Sequence, residues 1–292
     1  MTTPPSASSG VGPDERQQVD RRRHVSDYFR LERWEVPAAD GGNPSTVFGR
    51  APIDAHQRGA GGGFRTGGLL TSLDSLGGMT SGLAALPQWI VTTSLMATVS
   101  ELSHVGPLRL RADVLRKGRT SVVTVLEVFD EGADDRQVAA ATMTCAVLDA
   151  NGMSFEFPRP LILAMPELQP DPLAPEEFFC IEPGEGLVTR LRLEDQLRNP
   201  WGILHGGAVA MLADEAACRA TVAARGGGIG PDGVAATDLV LHYLRPVKVG
   251  PVEARCQVLG TRAGRSVVRV AIHDVGADDR MVTMASVTVL AI

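Results

Sequence analysis

The sequence predicts an α+β fold made twice over, as two tandem units. Each unit is a long buried helix wrapped by a curved antiparallel β-sheet. Three observations lead there. A long internal repeat divides the 292 residues into two copies. The segments ending each copy alternate apolar and polar residues with the period of a strand. One stretch, "GAVAMLADEAACRATVAA" (Gly207 to Ala224), is apolar nearly all round, which marks a helix enclosed on every side.

The repeat is the strongest of these. "VGPLRLRADVLRKGRTSVVTVLEVFDEGADDRQVAAATMTCAVL" runs from Val105 to Leu148, and "VGPVEARCQVLGTRAGRSVVRVAIHDVGADDRMVTMASVTVLAI" from Val249 to Ile292. Val-Gly-Pro and Gly-Ala-Asp-Asp-Arg each recur 144 residues later. Gly118-Arg119 matches Gly264-Arg265 after a two-residue slip that later reverses. A period this long means duplication of a domain, not a solenoid unit.

The chain is read in four parts. Residues 1–25, rich in Pro, Ser, Gly, Asp and Arg, form a disordered tail. Its Arg21–Arg23 run reads first as solvated charge. Residues 26–154 are the first unit, within which Ala38 to Gly68 is mostly loop. Residues 155–177, with six prolines, are the linker. Residues 178–292 are the second unit.

In the second unit, Ser266 to Asp274 puts Val268, Val270 and Ile272 on one face of a strand. Ser121 to Asp130 does the same in the first. "GADDR" supplies a hairpin turn in both, and Met281 to Ile292 returns. Asp238 to Leu244 is another strand, stopped by Pro246. Each copy thus reads as a helix followed by an antiparallel meander.

Composition narrows the function. The chain is 44% hydrophobic and 21% charged, with net charge −6. This balance gives no reason to expect nucleic acid as a partner. Four cysteines lie far apart, which speaks against a zinc site or a disulfide framework. No apolar run reaches the roughly 18–20 residues of a membrane span, and the N-terminus lacks a signal peptide's apolar core. No membrane insertion and a cytoplasmic location are the expectations.

Chemistry concentrates in "RNPWGILHGGAVAMLADEAACRA", Arg198 to Ala220. Gly206-Gly207 opens the helix, where free backbone N–H groups can polarise a carbonyl oxygen. Two glycines let a substrate approach the backbone. His205 and Asn199 bring polar side chains to the same turn. Glu215 stands four residues before Arg219, the spacing of a solvated helical ion pair. Asp214 lies on another stripe, with Met211 and Cys218 and no nearby cation. A carboxylate there either caps local backbone N–H groups or does chemistry, and spacing alone leaves the two open.

The pattern Asn199, then His205-Gly206-Gly207, then Asp214 resembles the hotdog-fold thioesterases. The likeness is to the phenylacetic-acid-pathway type and the acyl-CoA thioesterase 13 group. "ATDLVLHYLRPVKVG", Ala236 to Gly250, resembles the strand after the helix in that family. Motifs cover Asn199 to Ile292, and the repeat extends the hotdog reading to the first half.

The resemblance implies hydrolysis of an acyl-CoA to a free acid and coenzyme A, with no metal or other cofactor. It implies that the Gly206 N–H holds the thioester carbonyl and that Asp214 is general base or nucleophile. Asn199 places water or carbonyl, His205 orients the turn, and Thr237 holds the attacking water. It also implies sites shared between copies, and a homodimer of double hotdogs.

The first half departs from the motif. Aligning Gly67-Gly68 with Gly206-Gly207 puts Thr66 at the His position, Ala60 at the Asn position and Ser75 at the acid position. Asp74 then comes one residue early. One composite site would join Asn199, His205 and Gly206 to Asp74 or Ser75. The other would join Asp214 to Thr66, Gly67 and Gly68. Two other functions stand beside hydrolysis. One is a non-catalytic acyl-CoA binding protein. The other is a hotdog enoyl-CoA hydratase, resembling Asp-x-Asn-Pro-x-His, against which Leu197 stands at the Asp position. Arg245, Lys248 and Arg262 are candidates for the coenzyme's phosphates, with plain surface charge as the default.

Overall fold

The protein's structure is a computed structural model describing residues 23–149, 159–227, 230 and 233–292. The expected tail falls almost wholly outside the described residues, as do 155–158 of the expected linker. The tail's end is shorter than expected. Helix α1 (Val25–Tyr28) starts at a fully buried valine.

Two long helices, α2 (Thr66–Ala85) and α4 (Gly206–Ala224), pack against each other and lie against the sheet. A short α3 (Pro175–Phe178) precedes the second half. The strands are β1 (Glu32–Val36), β2 (Thr46–Ala51), β3 (Trp89–Val99), β4 (Leu108–Lys117), β5 (Ser121–Asp130), β6 (Arg136–Leu148), β7 (Ile162–Leu163), β8 (Ile181–Pro183), β9 (Val188–Leu191), β10 (Val234–Tyr243), β11 (Val252–Arg262), β12 (Arg265–Asp274) and β13 (Arg280–Ala291). All join one sheet in the order β7-β1-β2-β4-β5-β6-β3-β10-β13-β12-β11-β9-β8.

Read outward from the β3–β10 seam, the order is the same in both directions: the strand after the helix, then its third, second and first successors, then the two strands before the helix, with β7 added at the outer edge of the first half. The meander expectation is corrected here. β3 pairs with β6 and β10, not with β4, so the first strand after each helix closes against the last. Ala38 to Gly68 also holds more structure than expected: β2 and the first turn of α2 lie in it. Within the expected linker, β7 pairs with β1.

The repeated motifs have a packing reason. Asp130 and Asp274, both fully buried, end β5 and β12. Asp130 accepts the Val105 and Gly106 N–H groups at 2.7 and 2.8 Å. Asp274 accepts those of Lys248, Val249 and Gly250. Gly106 and Gly250 have φ of 81° and 69°, conformations that favour glycine. The Gly of each "GADDR" lies under this loop. A Cβ on Gly276 would come within 2.1 Å of the Gly250 carbonyl oxygen. Val-Gly-Pro and Gly-Ala-Asp-Asp-Arg recur because each needs the other.

One apolar cluster runs through both halves and encloses the helices. Among the described residues no helix is long and apolar enough to cross a membrane.

Candidate active site

The helices fix the site because each caps the other. The Gly207 N–H in the first turn of α4 donates to Asp74 Oδ2 on α2 at 2.8 Å. The Gly67 N–H in the first turn of α2 donates to Asp214 Oδ2 on α4 at 2.9 Å. A carboxylate at a helix N-terminus satisfies an orphan donor and meets the positive end of the dipole. The capping alternative for Asp214 therefore holds, but the cap is on the other helix. The crossing is also why glycines are needed. A Cβ on Gly206 would lie 2.8 Å from the Asp74 carboxylate, and one on Gly207 would lie 2.7 Å from the Thr71 Cα.

These bonds correct the register between the halves. Gly67 corresponds to Gly207 and Thr66 to Gly206, 140 residues apart. The preceding turns agree. Gly59 N–H donates to the Gly63 carbonyl as Asn199 N–H does to that of Ile203, and Arg65 to Gln57 as His205 to Leu197. Asp74 therefore falls on Asp214 itself, not one residue early. Arg65 holds the His position and Gly59 the Asn position. Aligning by the glycine pairs alone missed this, because α2 begins with Thr where α4 begins with Gly.

A cavity of about 680 Å³ opens beside Asp74, lined by Asp74, Thr92, Asn199, His205 and Gly206 among others. Asp74 is 5% exposed. Thr92 Oγ1 on β3 donates to its Oδ1 at 3.1 Å. Burial pushes the Asp74 carboxyl up to about 6, while the bonds from Thr92 and Gly207 pull it back. His205 Nδ1 accepts the Gly207 N–H at 3.0 Å and lies 3.2 Å from Asp74 Oδ2. Burial, with the charges of His24 and Arg33, pushes its imidazole down to about 3. His205 is thus neutral and makes no ion pair with Asp74. Its accepting Nδ1 leaves the ring proton on Nε2. The first N–H of α4, on Gly206, has no acceptor among the described residues, and Tyr243 Oη donates to the Gly206 carbonyl at 3.0 Å.

The other expected site residues are placed differently. Asp214 does not line the cavity. It is 2% exposed, and the Arg65 guanidinium stands 3.5 Å from it. Arg65 also pairs with Glu176 and Glu215. Glu215 pairs with Arg219 at 2.6 Å as its spacing predicts, but it is buried, not solvated. Gly67 serves as the cap for Asp214, Gly68 packs against Phe29 and Phe64, and Thr66 Oγ1 donates to the Ala236 carbonyl. None of the three reaches the cavity. Gly207 gives its N–H to Asp74 and so has none to offer a substrate. Thr237 Oγ1 donates to Asp238 Oδ2 at 2.9 Å, away from the cavity. Asn199 lines the cavity, but its Oδ1 accepts the Trp201 and Ile203 N–H groups and braces the turn.

Sequence reasoning missed Thr92, Tyr243, Arg33 and the Trp89–Trp201 pair, whose rings meet at 4.0 Å at the cavity. For Thr92 a signal existed. The β-bulge at Thr93 on β3 matches that at Thr237 on β10, 144 residues on, so the strand after the first helix was the place to look. Arg245 and Lys248 line the cavity; Arg262, at the end of β11, does not. Leu197 is fully buried, so no acid stands where the hydratase pattern needs one.

Comparison with known proteins agrees with this architecture. Residues 202–279 match the Thioesterase superfamily model. No curated protein matches the sequence. Solved structures match across most of the chain. The tesB protein of Mycobacterium avium subspecies paratuberculosis superposes with TM-score 0.57 at 12% identity, covering 85% of this chain and 93% of its own. Acyl-CoA thioesterase II of Mycobacterium marinum gives 0.53 at 15%, covering 92% and 96%. A conserved protein with a hot dog fold from Alicyclobacillus acidocaldarius gives 0.51 at 14%, covering 92% and 97%. The chain has the hotdog fold of these proteins, and its residues 202–279 are similar to the thioesterase superfamily.

Proposed function

We propose that the protein hydrolyses acyl-CoA thioesters at one composite site of a tandem double hotdog, with Asp74 as its base. The observation that carries this is the Asp74 carboxylate, facing a cavity beside an unsatisfied helix N-terminal N–H. The thioesterase-superfamily match and the fold support the reaction class.

In this reading the thioester carbonyl oxygen accepts from the Gly206 N–H, where the α4 dipole stabilises developing negative charge. Asp74 takes a proton from water as the water oxygen attacks the carbonyl carbon. An ionisation near 6 leaves it mostly ionised at neutral pH yet basic enough to serve. Thr92 and the Gly207 N–H fix the two carboxylate oxygens, and Asn199 and Tyr243 hold the turn and the Gly206 peptide. When the tetrahedral intermediate collapses, the C–S bond breaks and Asp74 returns its proton to the departing thiolate. The products are a free acid and coenzyme A. Every step uses groups of this chain and its substrate. Arg245 and Lys248 give the cavity mouth the positive charge an anionic carrier requires.

The test is thiol release from a panel of acyl-CoAs by wild type, Asp74→Asn and Asp214→Asn. Loss of turnover in Asp74→Asn alone is the expected result. Wild type that binds acyl-CoA but releases no thiol would leave the binding-protein reading standing instead. The homodimer that the resemblance implies is tested by light scattering.

A further inference from the structure

Asp74, Gly78 and Gly82 lie four residues apart along α2, on one stripe of the helix. That stripe faces the cavity, and both glycines line it. A Cβ on Gly78 would meet nothing within 4 Å, and one on Gly82 would touch only Ile90, at 3.9 Å. This is open space made by missing side chains. The equivalent stripe on α4 is Asp214, Cys218 and Val222, where both later side chains pack against the core. A second difference lies one residue on from each acid. Ser75 is 7% exposed, lines the cavity, and its Oγ has no hydrogen-bond partner among the described residues. Its equivalent on α4 is Glu215, paired with Arg65 and Arg219. A buried hydroxyl left unpaired is costly, and this one is placed to meet a polar atom of a molecule in the cavity.

We propose that Gly78 and Gly82 form the floor of an acyl-chain groove that starts at Asp74 and Ser75 and selects linear acyl groups by length. The inference rests on the thioesterase reading above and adds the substrate class. At 1.5 Å per helical residue, Asp74 to Gly82 spans roughly 12 Å. An extended chain advances about 1.2 Å per bond, so the floor matches an acyl group of about ten carbons. Leu83, Leu86 and Leu148 line the cavity beyond. Ser75 meets the polar thioester end, where the carbonyl or the attacking water sits. The alkyl chain lies over the two glycines.

The experiment fills the stripe with side chains, at Gly82 with the valine that α4 carries there. Wild type, Gly82→Val and Gly78→Val are assayed on butyryl-, octanoyl- and dodecanoyl-CoA, with folding checked by thermal melts. Gly82→Val is expected to lower the dodecanoyl-to-butyryl ratio of kcat/KM at least tenfold. Gly78→Val, nearer the acid, is expected to lower the octanoyl-to-butyryl ratio as well. If a valine variant fails to fold, the alanine variant at that position is expected to shift the same ratio in the same direction. Ratios within twofold of wild type, or equal losses at every length, overturn the groove. If wild type hydrolyses none of the three, the thioesterase reading fails separately. The groove is then judged by calorimetry with S-butyl, S-octyl and S-dodecyl coenzyme A thioethers, where the affinity ratios must shift in the same order.

Discussion

Asp74 and Asp214 occupy equivalent turns of α2 and α4 and accept equivalent bonds, at 2.8 and 2.9 Å, from the other helix's first turn. Their surroundings differ at nearly every further position. Asp74 faces His205, a neutral ring, and receives the Thr92 hydroxyl on a strand bordering the cavity. Asp214 faces Arg65, a cation tied to two more carboxylates, and at the Thr92 position β10 carries Ala236. The same duplicated geometry thus leaves the Asp74 carboxylate, the base of the proposed reaction, beside open space and without a cationic partner among the described residues. It gives a structural cap where charge is neutralised and space is filled. Reaction requires a base whose proton affinity is free to be used. Burial raises both carboxyls, but at Asp214 the adjacent Arg65 charge pulls against that rise.

The largest test of this contrast is to remove each charge in turn. Asp74→Asn keeps an oxygen for the Gly207 N–H but removes the base, so kcat is expected to fall at least about a thousandfold. The same variant should also melt higher. The folded ionisation of Asp74, near 6, is above the unfolded value of about 4. Ionising it therefore costs the folded state, and stability is lost as pH rises from about 4 to about 6. Above that window the cost is about 3 kcal/mol, which the amide relieves. Asp214→Asn is expected to leave turnover within about fivefold of wild type, because that carboxylate does not line the cavity. Kinetics and thermal melts on both proteins decide it, and equal catalytic losses would sink the contrast.

Gly206→Ala follows in size. Its Cβ would press on the Asp74 carboxylate at 2.8 Å. Displacing the base from the carbonyl-binding N–H should lower kcat by about a hundredfold, with KM changing less. Steady-state kinetics with one acyl-CoA reads this directly.

Next comes the acid limb of the pH profile. In the proposed mechanism the base is ionised Asp74, so kcat/KM should fall as pH drops through about 6. Thr92→Val removes a bond that stabilises the ionised form, so the limb should move to higher pH while the plateau falls about tenfold. A limb that stays in place would mean that the hydroxyl does not touch the reacting carboxylate.

The legibility of this site in the sequence followed from what each signal measures. The repeat and the period-2 segments gave β5, β6, β12 and β13 because strand alternation and turn glycines are local properties. The buried helix α4 was visible because its apolar composition wraps the whole circumference. Strand order was not visible: nothing local says that β3 closes on β6 and crosses the seam to β10. The acid was misplaced for a similar reason. Gly-Gly looked like the anchor of the turn, yet the anchor is backbone, the paired N–H to C=O bonds of residues 57–65 and 197–205. Side-chain identity tracks that only when both copies keep the same residue at the first helical position. Thr66 and Gly206 do not.

Thr237 gives the smallest expected effect and the sharpest check of the seam. The family resemblance assigns its hydroxyl to the attacking water, but the duplication puts that strand position in two places. Thr237 lies on the half whose acid is Asp214, at a bulge where its Oγ1 bonds to Asp238 Oδ2. Asp238 in turn accepts from Thr98 Oγ1 across the β3–β10 seam at 3.1 Å. Thr237→Val should therefore leave kcat and KM within about twofold and cost about 1 kcal/mol of stability, the worth of one partly exposed hydrogen bond. If instead it matched the loss and the pH shift of Thr92→Val, the working carboxylate would be Asp214. The open cavity beside Asp74 would then have no part in the reaction.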